Sequence, residues 1–589
     1  MGLLNSLRIS LKKLLTLAFA GIILISLPAC SPKALLADPD APPRLTMTIL
    51  GDPKTFNFVI STDATSSSVG GMLLDGLVTE NPITGEIEPQ LAESWEISDD
   101  KLEILYTLRP NLKWSDGQPL TVDDVVFTYN QLYLNPEIPT GMRDVLKIGQ
   151  SEAFPKVAKV SEDKVKFTIP EPFAPFLGVT GASIYPAHIL QSTVEQRDKE
   201  GKIQFLSTWS VDTPPEQIVS NSAYKLKSYQ TAQRVFFEAN PYYWKKQVTG
   251  QDFPHIKQVV WEIIESTDTA LTQFRSGSLD TISVSPEYFS LLKKEENKGN
   301  FRIEEGGEVY SMTFIAFNLN QGTKAGKRVI NRQKSAWFNN VNFRQAVSYA
   351  IDRDRMVKNV FRGLGTPQVS YTPKQSPFYY EGTKAYPYNP QKAKQLLLEA
   401  GFKYNNKGQL LDQNGTRVSF VLNTNTGNKI REAMGNQIEE DLAKIGIKVN
   451  FRTINFNVLV GKLGNTLDWD CILLGFGGGN EPNNRYNLWA VNGNSHLFNQ
   501  QVDGLEDRLI ADWEAEIARL YIDGARELDL EKRKAIYAQA QQLVAEKLPI
   551  ICLVNPYSMS AIRNNIEGVE YSAYGGAFWN LEELKIDQS

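Results

Sequence analysis

Cysteine and histidine are nearly missing from this chain: 589 residues hold three of each. His188, His255 and His496 stand far apart, and so do Cys30, Cys471 and Cys552, so no zinc-type ligand spacing exists. No metal site and no cofactor are expected. Too few cysteines are present for a disulfide framework. Cys471 and Cys552 each lie in an apolar run and read as buried thiols, and two residues do not prove a bond between them. An excess of basic charge is also missing, with 62 Lys and Arg against 67 Asp and Glu, which argues against a nucleic-acid partner. No Gly-x-Ser-x-Gly elbow or His-Glu-x-x-His stands in the chain, and its one Gly-rich loop lacks a Gly-Lys-Ser/Thr ending. No catalytic residue is therefore assigned, and the chain reads as a non-enzyme. A paired-carboxylate glycosidase would need two acids at a set separation, which a sequence does not place.

Long hydrophobic runs are scarce as well. The single marked one, residues 14–27, is uncharged and shorter than the roughly 20 residues of a membrane span. Arg8, Lys12 and Lys13 precede it, and Leu27-Pro28-Ala29-Cys30 closes it. A charged start, a short apolar stretch and small residues before a cut site make an export signal. With a cysteine next to the small residue, the segment resembles a bacterial lipoprotein signal. Residues 1–29 would then be removed and Cys30 lipidated; a plain signal peptide, or an uncleaved membrane anchor with a cysteine nearby, is the alternative. Ser31 to Arg44 carries Pro32, Pro39, Pro42 and Pro43 and suits a loose tether, residues 30–43. Setting aside the leader's three bases leaves 59 Lys and Arg against 67 acids, a net charge of −8. The expected location is the extracytoplasmic face of a membrane, periplasmic or equivalent, with the body outside the bilayer.

Within that body, residues 44–50, 104–108, 165–169, 259–264 and 280–284 read as strands, with a helix over 268–276 completing a strand–helix–strand unit. The second half is richer in helices. Phe343, Ala346, Val347, Ala350 and Ile351 recur at helical spacing. Asn389-Pro390 starts a helix that Gly401 stops, and Asp529 starts another that ends near Leu548-Pro549. A helix from Ile430 to Leu442 precedes a strand over 447–451, and 469–476 and 550–554 read as further strands. Alternating strands and helices indicate an α/β fold. Residues 322–335, with Lys324, Lys327, Arg328, Arg332 and Lys334, read as a solvated basic loop or a docking patch for an acidic partner.

Several segments carry a family resemblance. They are Glu88-Pro-Gln-Leu-Ala-Glu-Ser-Trp95, Tyr106-Thr-Leu-Arg-Pro-Asn-Leu-Lys-Trp-Ser-Asp-Gly117, Thr121-Val-Asp-Asp-Val-Val-Phe127, Ala223-Tyr-Lys-Leu226, Asn240-Pro-Tyr-Tyr-Trp244, and the stretches 343–353 and 388–397. In this order the chain resembles the solute-binding proteins of peptide ABC importers, the oligopeptide/dipeptide type of extracellular solute-binding family 5, over residues 45–584. The resemblance implies a two-lobed periplasmic-binding-protein fold of the large peptide-binding type. Lobe one would be residues 44–300 with a subdomain inserted over about 77–182, lobe two 301–549, and 550–589 a return to lobe one. Hinge crossings would lie near 308–319 and 548–557. It further implies a monomer that captures a peptide and delivers it to membrane permease subunits driven by ATPase subunits on the far side. The motifs themselves read as fold markers: Trp114-Ser-Asp-Gly117 is a turn signal.

Candidate ligand residues lie mainly in the loop Gly475-Phe-Gly-Gly-Gly-Asn-Glu-Pro-Asn-Asn484. Its glycines allow close approach to backbone. Glu481 is the candidate partner of a ligand amine, Asn480 and Asn483 of amides, with Phe476 beside them. Peptide binders of the family usually carry an aspartate three residues before this loop's acid–proline pair. Here that position is Gly478, which keeps open a non-peptide ligand: an oligosaccharide, an opine or a metal complex. Further candidates are Asn221 and Ser222, in the altered turn Ser220-Asn-Ser-Ala-Tyr224, with Tyr310 and Asn318 on the first crossing and Asn555 and Tyr557 near the second.

Overall fold

The computed structural model describes residues 43–587 apart from 62 and 150. The export signal, Cys30 and most of the tether lie outside the described residues. Four main sheets carry the fold. One runs in the order Arg44–Ile49, Gln258–Ile263, Arg234–Ala239, Tyr224–Gln230, its first pair parallel and the rest antiparallel. An inserted antiparallel sheet follows the order Ala92–Ile97, Glu103–Leu108, Lys164–Thr168, Lys156–Lys159. A third packs Thr281–Ser283 and Phe301–Glu308 on either side of the long strand Val554–Arg563. The fourth has five strands: Lys448–Ile454, Ser419–Asn425, Cys471–Phe476, Met312–Phe317, Ile550–Cys552.

Two large cores form around these sheets. One is built from Leu45 through Trp261, takes in Ala525 from the second half, and is rejoined by Ile562, Ile566, Ala577, Leu581 and Leu584 near the C-terminal end. The other is drawn wholly from Met312 to Val554. A smaller core under the third sheet joins Ile264, Phe274, Leu292 and Phe301 to Met559 and Ala561. Strands of the third and five-stranded sheets follow one another directly along the chain twice, joined at residues 309–311 and again at Leu553, while Gly365–Pro367 also pairs with the start of Val554–Arg563. Both passages are short, and they run side by side, since Val309 N–H donates to Pro556 O at 2.9 Å and Leu553 N–H to Thr313 O at 2.9 Å.

Local chemistry explains the elements. Thr121 and Asp124 form a reciprocal capping box that starts the helix Val122–Phe127. Asn389 Oδ1 accepts the Lys392 N–H with Pro390 in the first turn, and Gly401 takes φ +87° beyond the helix end. Asp529 caps Leu530–Lys547 through the Lys532 N–H. Trp114 is fully buried, and Gly117 closes its turn at φ +88°. The most recognisable sequence signature is thus core and turn.

Three readings are corrected. The helix Thr267–Arg275 does lie between two strands, but these belong to different sheets, stitched through Asp280, whose Oδ2 accepts the Thr46 N–H at 2.6 Å. Residues 322–335 are not a loop. They form the hairpin Thr323–Lys324 with Lys327–Arg328, joined by Leu505–Glu506, and then enter the helix Arg332–Asn339. Lys334 there pairs with Asp470 at 2.6 Å, although Lys327, Arg328 and Arg332 stay exposed. The run 550–554 breaks at Leu553, where the chain changes sheet. Cys471 and Cys552 are free and buried on two strands that flank Met312–Phe317. Two strand spacings, about 9–10 Å, exceed the reach of a disulfide.

Candidate functional site

Three strands of the five-stranded sheet run parallel: Ser419–Asn425 pairs in parallel with both Lys448–Ile454 and Cys471–Phe476. Their C-terminal ends share one edge, the usual place for a ligand in an open α/β sheet. The Gly-rich loop leaves from that edge and meets Glu80 from the first half of the chain and Tyr310 of the first passage.

Gly478 is pressed against the first passage. A Cβ there would stand 1.5 Å from the Tyr310 carbonyl oxygen, so no side chain fits without backbone movement. The Tyr310 ring packs on Tyr574, from the C-terminal part of the chain, with centroids 5.0 Å apart. Phe476 turns its ring to Phe314 at 5.3 Å. Asn480 reaches across to the first core, its Nδ2 donating to Glu80 Oε1 at 2.7 Å. The Asn480 backbone carbonyl accepts from Ser376 Oγ at 3.1 Å, while its Oδ1 is buried without a partner. Asn555 behaves likewise: it is 2% exposed, Nδ2 donates to Glu308 Oε2 at 3.4 Å, and Oδ1 has no partner. Tyr557 sits opposite Glu308 in the sheet register.

The other candidates are occupied by the fold. Both Glu481 oxygens accept from Arg533 Nη2, at 2.9 and 3.0 Å, and Oε1 also caps the Asn483 N–H. Arg533 donates in addition to Gly524 O at 2.8 Å and lies over the Phe378 ring. The Glu481 charge is thus already paired within the chain. Asn221 is 2% exposed, with Oδ1 accepting the Asp75 N–H at 2.6 Å and Nδ2 donating to Asp75 O. Ser222 beside it is buried, its carbonyl accepting from Asn240 Nδ2. Asn318 is buried, donating to Leu467 O and Trp469 O. These three brace turns and do not open on the junction. The Asn483 side chain remains half-buried beside the loop.

Two residues that the sequence did not single out, Glu80 and Glu308, also line the junction. Glu80 ends the short strand Val78–Glu80 and also accepts from the Tyr574 hydroxyl at 3.4 Å. Glu308 accepts from Thr366 Oγ1 at 2.7 Å. Burial, with Glu80 nearby, raises the Tyr310 phenol and pushes that of Tyr574 up to about 12, so both stay neutral donors. No motif announces either glutamate, because each gains its meaning from groups 58 to 494 residues away. Among the described residues no group of three or more His, Cys, Asp or Glu is placed to hold a metal ion.

Residues 86–497 match the family described as bacterial extracellular solute-binding proteins, family 5, middle. The chain belongs to that family. Individual relatives align over still more of its length. A probable ABC transporter-binding protein of Deinococcus radiodurans is 29% identical, covering 89% of this chain and 88% of its own length. The oligopeptide-binding protein AppA of Bacillus subtilis is 27% identical over 95% of this chain and 96% of its own. A solved structure of AppA from Bacillus subtilis in complex with a nonapeptide superposes with a TM-score of 0.71 at 25% identity, covering 93% of this chain and all of that one. NikZ from Campylobacter jejuni, solved with Ni(L-His), shares the fold with a TM-score of 0.72 at 20% identity, covering 92% and 99%. The family 5 protein described here is accordingly a solute-binding component of an ABC importer with the two-lobed α/β fold, and its relatives are transport proteins rather than enzymes. Family 5 proteins work outside the cytoplasm, and among the described residues no helix is long and apolar enough to cross a membrane.

Proposed function

We propose that this protein captures peptides between two lobes and delivers them to a membrane permease, while a lipid on Cys30 holds it at the membrane. Lobe one is residues 44–308 with the subdomain at about 77–182 and a return from 554 onward, and lobe two is 312–552, so both boundaries fall a few residues beyond the 300/301 and 549/550 expected from the sequence. The separate large cores and the paired short passages between them support a hinge at 309–311 and 553. One observation carries the peptide reading. Buried polar atoms at the junction lack partners of both kinds, the acceptors Asn480 Oδ1 and Asn555 Oδ1 and the donor Gln368 Nε2. Gln368 stands at the hinge, its N–H donating to Leu553 O at 3.0 Å. A peptide offers N–H donors, its terminal ammonium among them, together with C=O acceptors, which is the complement such groups need. AppA's nonapeptide complex adds support from a relative.

Gly478 favours a second reading, a non-peptide solute, because the loop has no room for an acid at that position. Calorimetry with a tetrapeptide mixture separates the two. Saturable binding that raises the melting temperature supports the peptide reading, whereas heat-silent mixing that leaves melting unchanged refutes it. The anchor is tested apart: wild-type protein should fractionate with membranes and Cys30→Ser with the soluble fraction, and identical fractionation would refute lipidation.

A further inference from the structure

The lobe junction holds two carboxylates with no counter-charge. Glu80 and Glu308 are half-buried, and among the described residues neither has a Lys, Arg or His within ion-pair distance. Glu481, in the same loop region, does have one in Arg533. A carboxylate offers about four lone-pair sites. Glu80 receives two donors, Asn480 Nδ2 at 2.7 Å and the Tyr574 hydroxyl at 3.4 Å; Glu308 receives Thr366 Oγ1 at 2.7 Å and Asn555 Nδ2 at 3.4 Å. Beside each stands a second, independent signal. Asn480 is 8% and Asn555 2% exposed, and each turns its Nδ2 to the glutamate while its Oδ1 has no partner. Each position therefore presents acceptors only. Leaving such an acceptor unfilled costs about 1–3 kcal/mol, so the arrangement suits a partner that arrives with the ligand.

The two positions are neighbours. Gln375 Nε2 donates to the Glu308 carbonyl at 2.6 Å, and the next residue, Ser376, donates to the Asn480 carbonyl at 3.1 Å. Aromatic faces complete the surroundings, with Tyr310 on Tyr574 beside Glu80 and Tyr379 in the field of Glu308. Acceptors plus aromatic rings suit an ammonium or guanidinium group, which brings several donors and a positive charge.

We propose that this junction selects solutes carrying two cationic groups, one held at Glu80 with Asn480 and the other at Glu308 with Asn555. The inference deepens the solute-capture reading and rests on it. For a peptide, the two groups are the terminal ammonium and a nearby basic side chain. Glu80 comes from the first core and Asn480 from the second, so the cation at Glu80 bridges both halves as they close.

Calorimetry on the mature protein with five probes tests this: Lys-Ala-Ala-Ala, Ala-Ala-Ala-Ala, Glu-Ala-Ala-Ala, N-acetylated Ala-Ala-Ala-Ala and 1,5-diaminopentane. The lysyl peptide should bind at least about tenfold tighter than the alanyl one, the effect of one charge-assisted contact. The acetylated peptide should be weaker than its free-amine counterpart. Glu308→Gln should erase the lysyl preference, and Glu80→Gln should weaken every free-amine probe, with melting curves confirming that both variants fold. Equal affinity for the lysyl, alanyl and glutamyl peptides would overturn the proposal and leave the peptide reading standing. Binding of diaminopentane alone, dependent on both glutamates, would uphold the proposal and refute the peptide reading. Failure of all five probes would overturn both.

Discussion

Replacing Glu481 by Gln separates the structural account of this loop from the one its sequence suggests. Arg533 is 8% exposed on its side chain and Glu481 21%, and both carboxylate oxygens lie within 3.0 Å of Arg533 Nη2. Arg533 is held in place by Gly524 O and by the rings of Phe378 and Tyr537 at 5.0 and 5.7 Å. Glu481→Gln leaves this guanidinium buried beside a neutral amide. Breaking a fully buried pair costs about 3–5 kcal/mol; water reaching the Glu481 side lowers that to about 2–3 kcal/mol here. Arg533→Met in the same background should restore part of the loss, because a buried pair replaced by apolar groups is often near neutral. Urea unfolding of the wild type, both single variants and the double variant gives the coupling, expected at about 1 kcal/mol or more. Free-amine and acetylated peptides should weaken equally in Glu481→Gln. Unchanged stability together with a selective loss of free-amine peptides would refute the reasoning and return Glu481 to the ligand.

Other perturbations follow from burial. Asp75 is pushed up to about 7, chiefly by burial and further by Glu582. Its folded form keeps a proton that the unfolded chain loses near pH 4, so its contribution to stability is full below pH 4 and is lost as pH rises through 7. Asp75→Asn should therefore stabilise at pH 8 by an amount on the order of 4 kcal/mol at most and have little effect at pH 4; an equal effect at both would refute this. Gly478→Asp, which restores the family's acid, should lower the melting temperature and gain no amine affinity, because its Cβ meets the Tyr310 carbonyl; a stable variant with tighter binding would show that the loop has room. Trp114→Ala should cost about 3–5 kcal/mol while leaving the ranking of ligands intact, since this fully buried ring is core; an altered ranking at unchanged stability would contradict that.

The α/β class and most helices were legible because their signals are local: an Asn-Pro start at 389–390, a cap at Asp529, alternation over Glu103–Leu108. Sheet membership was less so. Thr281–Ser283 follows Gln258–Ile263 after a single helix, yet it pairs with a strand from the other end of the chain, and nothing local reports that. The basic stretch 322–335 gained its strands from Leu505–Glu506, about 180 residues away. The Gly-rich loop stands out in the sequence through its glycines, but the partner of its acid does not show there. Glu481 is conspicuous in sequence because it precedes proline, and the fold has given it Arg533. Glu80 and Glu308 carry no flag, since a carboxylate's importance here depends on the cation it lacks. Asn221 and Asn318 stand out in sequence as polar residues in an altered turn and a crossing, where buried amides serve the backbone just as often.

The most direct test is native mass spectrometry of the mature protein purified from its own host. The account predicts co-purified masses that fit short peptides, enriched in Lys and Arg, and absent from the Glu80→Gln variant. A single bound non-peptide mass that persists in Glu80→Gln would contradict it.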